Sequence, residues 1–439
     1  MSIFPHRHSS RKIGPEHPLS GKVVYVPTMG EGSPEAFAAA FRWLGVEAHP
    51  TPPSDARTRE LGGKYTTGDE CYPAKVTVGD FLRVMELPGF NAEKTAFFMP
   101  TAEGPCRFGQ YAPFLRKILR DAGWGNVQVL SPTSRNGYVD LGDIANPFLR
   151  VAWRALVSAD TIHRALLKTR PYETTPGAAD QAFQDSLADL VKSIENSCAD
   201  AGCQLESLVE SMTRARERFK HVPALYDREL PLIGVVGEIF CRLNTFSNED
   251  LIRKLESYGA EANLSHISEW VEYTNNEQKR KLNLVGQNIS LAMGKAYLRS
   301  HIQHADEHAI TAPFAEEFVG YEEPPIEEIL ELAWPYLPSG GALGEMVLSV
   351  GKAAYLAKHG ADGIIDISPF TCMNGIVTEA VYPKLAQAYA GIPIRNFYFD
   401  GTQADLDRDL GIYMELARSY REKKPYTRNF PACFAQAGA

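Results

Sequence analysis

The sequence predicts an α/β protein in which two parallel-sheet domains face each other across a cleft, with a helical brace between them. Short β-branched apolar runs alternate with amphipathic helical segments before residue 143 and again after residue 229, the pattern of strand–helix–strand crossovers. Between these blocks the alternation stops and apolar residues recur only at helical spacing. A faint internal repeat is the third observation. Phe37 to Ala48, ending Leu-Gly-Val-Glu-Ala, parallels Leu251 to Ala262, ending Tyr-Gly-Ala-Glu-Ala, and Val78-Gly79-Asp80 parallels Val350-Gly351-Lys352.

Residues 1–20 read as a flexible leader. His6, Arg7, His8, Arg11 and Lys12 have no apolar stretch behind them, unlike a signal peptide. The first α/β domain, 21–143, opens with a strand at 22–27 and the loop Gly30-Glu31-Gly32-Ser33. Ser33 suits an N-cap, Pro34 the first helical position and Glu35 the positive helix end. That helix runs to about Leu44, Gly45 closes it, and 46–51 is a strand. Residues 73–85 are helical, 95–99 a buried strand, 108–122 a helix and 127–130 a strand. The helical region, 144–228, breaks at Pro171 and Pro176-Gly177, with helical spacing from 179 to 219. In the second α/β domain, 229–424, strands fall at 232–236, 260–267, 363–367 and 392–399. Helices fall from the cap Ser247-Asn248-Glu249-Asp250 to Gly259, then at 277–301, 344–358, 375–389 and 404–421. Residues 321–325 read as a linker and 425–439 as a loosely held tail. Each domain is of the doubly wound, Rossmann- or flavodoxin-like type.

With 439 residues and 44% hydrophobic content the chain can bury several cores. Its 45 basic and 54 acidic residues give −9, which argues against nucleic acid or an anionic membrane as partner. No window approaches a bilayer-spanning apolar run. These features point to a soluble cytoplasmic protein, whose seven cysteines in a reducing compartment favour ligation or burial over disulfides.

Four cysteines occupy short loops at strand-to-helix junctions. Cys71 lies in Gly68-Asp69-Glu70-Cys71-Tyr72-Pro73 and Cys106 in Glu103-Gly104-Pro105-Cys106-Arg107-Phe108-Gly109. Cys241 lies in Gly237-Glu238-Ile239-Phe240-Cys241-Arg242, and Cys372 in Ser368-Pro369-Phe370-Thr371-Cys372-Met373. Such loops border the crevice where open α/β sheets bind ligands, and a multi-thiolate set reads first as an iron–sulfur site. The set has no Cys-x-x-Cys pair, unlike zinc ribbons, and no ferredoxin-type run. Four unrelated buried thiols are the bland alternative, and the Gly and Pro of the loops favour ligation over it. Backbone N–H groups near Gly104, Arg107 and Gly375 are placed to stabilise negative charge. For Arg107, offsetting cluster charge and forming a surface ion pair are equally open.

Other constellations carry less. Cys198 and Cys203 would sit roughly 140° apart on one helix and read as core or surface thiols, and Cys433 as incidental. His301, His304 and His308 form one helical stripe that could bind a metal with Asp306 and Glu307 nearby, although a solvated helix end is the commoner explanation. Gly30-Glu31-Gly32 lacks the third glycine of a dinucleotide fingerprint, and no Gly-x4-Gly-Lys-Ser/Thr occurs. No Ser–His–Asp or paired-carboxylate set follows from spacing.

The Cys71, Cys106 (through Gly109-Gln110-Tyr111) and Cys372 strings, with residues 87–100, 148–173 and 236–261, resemble the 2-hydroxyacyl-CoA dehydratase superfamily. The likeness is to the module that follows the ATPase region in large CoA-substrate enzyme activases, here without that actin-like region. The resemblance implies an iron–sulfur cluster of [4Fe-4S] type between α/β domains; some relatives hold larger double-cubane clusters. It implies an actin-like, ATP-hydrolysing activator as the partner that supplies low-potential electrons. Acyl-CoA or another small molecule would be the substrate, and a homo- or heterodimer is compatible. Relatives carry an apolar residue at the place of Cys241, so Cys71, Cys106 and Cys372 are the firmer ligands. Three thiolates would leave one iron open for catalysis and four would favour pure electron transfer. An iron–sulfur reductase or dehydratase-like component is therefore the favoured expectation. A non-catalytic zinc- or cluster-binding accessory or scaffold protein is the alternative.

Overall fold

A computed structural model describes residues 13–102, 104–133, 138–226, 229–338, 344–402 and 405–429. The first block folds as β1 (Val23–Val26), α1 (Ser33–Trp43), β2 (Glu47–Pro50), α2 (Ala56–Tyr65), α3 (Tyr72–Val84), β3 (Thr95–Phe98), α4 (Tyr111–Asp121) and β4 (Gln128–Leu130). Its four strands are all parallel in the order β2-β1-β3-β4. The chain turns back between β1 and β3, which makes their carboxyl ends a topological switch point. Asp55 caps α2 by accepting from Arg57 N (2.8 Å) and Thr58 N (3.1 Å), satisfying donors that a helix start leaves orphaned.

The brace is α5 (Ala145–Thr169), α6 (Ala178–Glu195) and α7 (Ala201–Lys220). Residues 179–219 are therefore two packed helices and not one continuous run. Asp200 accepts from Gly202 N and Cys203 N and starts α7 there, which leaves Cys198 in the connecting loop. Off the helix, its Cα comes within 6.1 Å of that of Cys203, and the two are joined by a disulfide. This corrects the reading of them as separate thiols on one helix, whose geometry forbids the contact.

The second block contains β5 (Leu232–Gly237), α8 (Ile239–Leu243), α9 (Leu251–Ser257), β6 (Glu261–Leu264), α10 (Ile267–Leu284), α11 (Leu291–Thr311), α12 (Ile326–Ala333), α13 (Glu345–Lys358), β7 (Gly363–Pro369), α14 (Met373–Ala388), β8 (Ile394–Phe399) and α15 (Leu406–Arg421). The strands are parallel in the order β6-β5-β7-β8. β5 and β7 are buried throughout, as central strands covered on both faces should be. The hairpin of α10 and α11 packs on the brace: Arg150 and Arg154 of α5 both clamp Asp306 of α11.

The faint repeat has a structural counterpart. Both sheets have the same strand order, and a tight helix pair precedes the third strand in each. A Cβ added to Gly79 would lie 2.0 Å from the Thr58 carbonyl oxygen, and one on Gly351 2.2 Å from that of Ile329. Only glycine permits those backbones to touch. Cys106 and Cys372 each follow the third strand of their sheet. By the same offset that sets Gly79 against Gly351, Cys71 falls opposite Leu343, which lies outside the described residues.

One hydrophobic core joins Val24 and Phe98 of the first sheet, Ile162 and Leu166 of α5, and Leu232, Val236 and Ile364 of the second. The leader and tail are more engaged than their composition suggests. Leu19 is fully buried and Ile13 N donates to Leu44 O. In the tail, Arg428 pairs with buried Glu261 (2.7 Å). Residues 1–12 and 430–439, including Cys433, lie outside the described residues. No helix among the described residues is long and apolar enough to cross a membrane.

Candidate functional site

Cys71, Cys106 and Cys372 line one solvent-connected cleft of about 1040 Å³ between the two sheets. Each immediately precedes a helical segment: Cys71 at the start of α3, Cys106 before the short turn Arg107–Gln110, Cys372 at the start of α14. Helix starts expose backbone donors toward such a residue. Phe108 N donates to Cys106 Sγ at 3.5 Å, and backbone N–H groups of Gly375 and Asn374 face Cys372. Thr371 supplies the bend before Cys372 with a left-handed φ of 62°, a strained conformation of the kind that collects at functional sites. Cys71 Sγ is 2.6 Å from Tyr111 Oη.

Burial governs the protonation of these thiols. It raises the Cys71 pKa, pushes Cys106 up to about 11, where Glu345 and Glu238 add to it, and pushes Cys372 up to about 12. Free thiols here hold their protons at neutral pH, and a bound cation is what would turn them into thiolates. The spacing discriminates among cations. Thiolates around one tetrahedral zinc lie about 3.8 Å apart, from Zn–S bonds of about 2.3 Å. The three sulfurs do not all come within 4.8 Å of one another. As placed, the three sulfurs are not preset for a single tetrahedral zinc.

Cys241 is placed differently. It is wholly buried in α8, in an apolar cluster with Val235, Ile365, Ile367, Phe397 and Phe399. It does not line the cleft. Burial, then the Glu238 carboxylate, holds its thiol well above the ordinary range, and the nearby Cys372 and Cys71 add to this. The residue therefore stands just behind the cleft floor.

The floor carries two carboxyl groups that spacing did not reveal, Glu238 and Glu345. Glu238 accepts from Phe240 N (3.1 Å) and Cys241 N (2.9 Å), and Glu345 from Ile239 N (2.8 Å). Burial, the largest cause, raises both above the usual carboxylate range, Glu345 well above, while the two backbone donors oppose it at Glu238. The available signal was an acid at the end of a buried strand, Gly237-Glu238, and another at a helix start.

Arg107 lines the cleft, and its charge opposes the rise of the Cys71 pKa. Its guanidinium donates to Asp69 O (2.8 Å), beside Cys71, and to Thr371 O (3.0 Å), beside Cys372. It thus ties all three cysteine loops together across the cleft. Gly104 turns its loop with φ 105° and is exposed. In the glycine loop after β1, Glu31 pairs with His163 of α5 (3.3 Å). The chain matches no protein-family model, and no match was found among curated proteins.

Proposed function

We propose that the cleft holds an iron–sulfur cluster through Cys71, Cys106 and Cys372, and that the chain is a redox protein resembling the 2-hydroxyacyl-CoA dehydratase and activase superfamily. The observation that carries this reading is the convergence of three cysteine loops, from both α/β blocks, on one cleft. In this proposal an ATP-dependent activator supplies low-potential electrons, and a CoA thioester or other small molecule is reduced or dehydrated. The bound cluster would supply one-electron chemistry. The chain's own contribution is to point backbone N–H groups at the sulfurs, hold the loops through Arg107, and raise the proton affinity of Glu238 and Glu345 beside a negatively charged centre. With Cys241 behind the floor, the proposal favours three protein thiolates and one iron open to a substrate oxygen.

Anaerobic purification with iron and acid-labile sulfide analysis tests this. Brown protein is expected, with iron falling in Cys106→Ser and in Cys372→Ser. A colourless protein that binds zinc, or full iron loading in both variants, overturns it.

A further inference from the structure

Away from the cleft, one side-chain cluster between α10 and α11 has no use in the proposed redox function. His304 Nδ1 lies 3.2 Å from Glu272 Oε1 and 3.9 Å from Glu307 Oε2. The three ligand atoms all fall within 4.8 Å of one another. The Glu272 and Glu307 side chains are mostly buried, at 11% and 18% exposure, whereas His304, at 55%, opens to solvent. Of the histidine stripe only His304 joins this group, and Asp306 points to the opposite side of α11.

The surroundings make the arrangement unusual. One residue before Glu307, Asp306 is embraced by Arg150 and Arg154. Nearby Glu323 is matched by Arg164 and Lys352, and Glu269 by Lys352. Glu272 and Glu307 have no Lys or Arg ion pair among the described residues, and their carboxyl groups face each other. Buried carboxylates are normally paired, metal-bound or protonated. We propose that Glu272, His304 and Glu307 form a site for one divalent first-row transition ion that staples α10 to α11.

The distances suit such an ion. Two donors on bonds of about 2.0–2.2 Å sit about 3–3.5 Å apart, so the Glu272–His304 separation already fits and Glu307 needs only a small rotation. One imidazole with two carboxylates selects manganese, iron or zinc over calcium and magnesium, which favour all-oxygen shells. Remaining positions face the open side at His304 and would hold water. Without the ion the two carboxyls stay together by sharing a proton, consistent with burial and the charges of Glu323, Glu327 and Glu269 pushing Glu272 up to about 7, and burial, the Glu272 charge and its hydrogen bond pushing Glu307 up to about 8. Binding releases that proton.

Manganese(II) is the appropriate probe, because thiolates bind it poorly and the cysteine cleft stays silent. The full chain, dialysed against chelator, is titrated with MnCl2 and free ion is read by electron paramagnetic resonance. Wild type should bind one equivalent at this site. Glu307→Gln, Glu272→Gln and His304→Ala should each bind at least about tenfold more weakly, since losing a ligand costs no less than losing its outer-shell support. The glutamine variants remove the carboxylate repulsion and should fold. Absence of binding by wild type up to millimolar ion overturns the proposal and leaves a carboxyl pair sharing a proton. So does binding by all three variants as tight as that of wild type. Neither outcome bears on iron at the cysteines, so the two proposals fail separately.

Discussion

Replacing Asp80 with asparagine should reverse sign as a stability mutation between acid and mildly alkaline pH. Asp80 lies on α3, the helix that begins at Cys71, and is fully buried against α2. Its carboxyl accepts from Thr58 Oγ1 and Ser54 Oγ, each at 2.8 Å. Burial dominates and pushes its pKa from 3.8 up to about 7, with Arg83 and the two hydroxyls opposing. The folded chain therefore keeps a proton between pH 4 and 7 that the unfolded chain has released. Linkage then requires stability to fall as pH rises through that window. At 1.36 kcal/mol per tenfold in proton affinity, the loss is about 4 kcal/mol by pH 8. Asparagine never ionises, and its amide can still accept from one hydroxyl while donating to the other. At pH 4–5 the variant should cost about 1 kcal/mol for the altered hydrogen bonds. At pH 8 it should be about 3 kcal/mol more stable than wild type, which at about 2 °C per kcal/mol is roughly 6 °C in melting temperature. Calorimetric scans of both proteins from pH 5 to 8 read the difference, and other buried acids cancel because both chains share them. A melting difference that does not change with pH, or a variant still weaker at pH 8, refutes the reasoning.

Cys241→Val should leave iron content and visible spectrum unchanged, because its sulfur lies in the apolar cluster behind the floor; iron analysis showing a loss would bring Cys241 in as a fourth ligand. Arg107→Ala should cost less than about 1 kcal/mol, since its bonds are solvent-exposed, yet a chelator should strip iron from it faster than from wild type. Equal chelation rates would remove the clasp. Gly351→Ala should destabilise by about 3 kcal/mol or more through its overlap with the Ile329 carbonyl. Gly63→Ala, with nothing within 4 Å of the added methyl, should stabilise α2 by up to about 1 kcal/mol; similar melting shifts in the two would refute this contrast.

Strand positions were legible because β1, β3, β5 and β7 are short apolar runs ended by Gly or Pro, and period and punctuation agree there. Cys106 and Cys372 were legible for a related reason, as a helix start after a strand end leaves little choice of direction; Cys71, read as another such junction, instead joins α2 to α3, because α2 went unread. Cys241 looked equivalent in sequence, but α8 begins at Ile239 and about half a helical turn carries its side chain into the apolar cluster. α2 and α12 went unread: α2 is mainly polar, with two glycines in Ala56–Tyr65, and the Glu-Glu-Pro-Pro before α12 resembles a linker. Glu323 of that stretch is instead buried against Arg164 and Lys352. Long-range charge pairing of this kind leaves no local trace. The Cys198–Cys203 bond was missed because the helix was drawn through its own break.

The shared core that runs from β1 through α5 to β5 and β7 decides how the cleft can be reached. A hinge between the halves would have to tear that apolar continuum, exposing many buried aliphatic side chains at roughly 25 cal/mol for each Å². The walls are thus fixed masonry, not a pair of jaws. Traffic of any guest must pass the cleft mouth, where Met373 lines the cleft and is exposed, with Phe370 and Ile376 exposed nearby in sequence, and side chains and loops are left to act as the door.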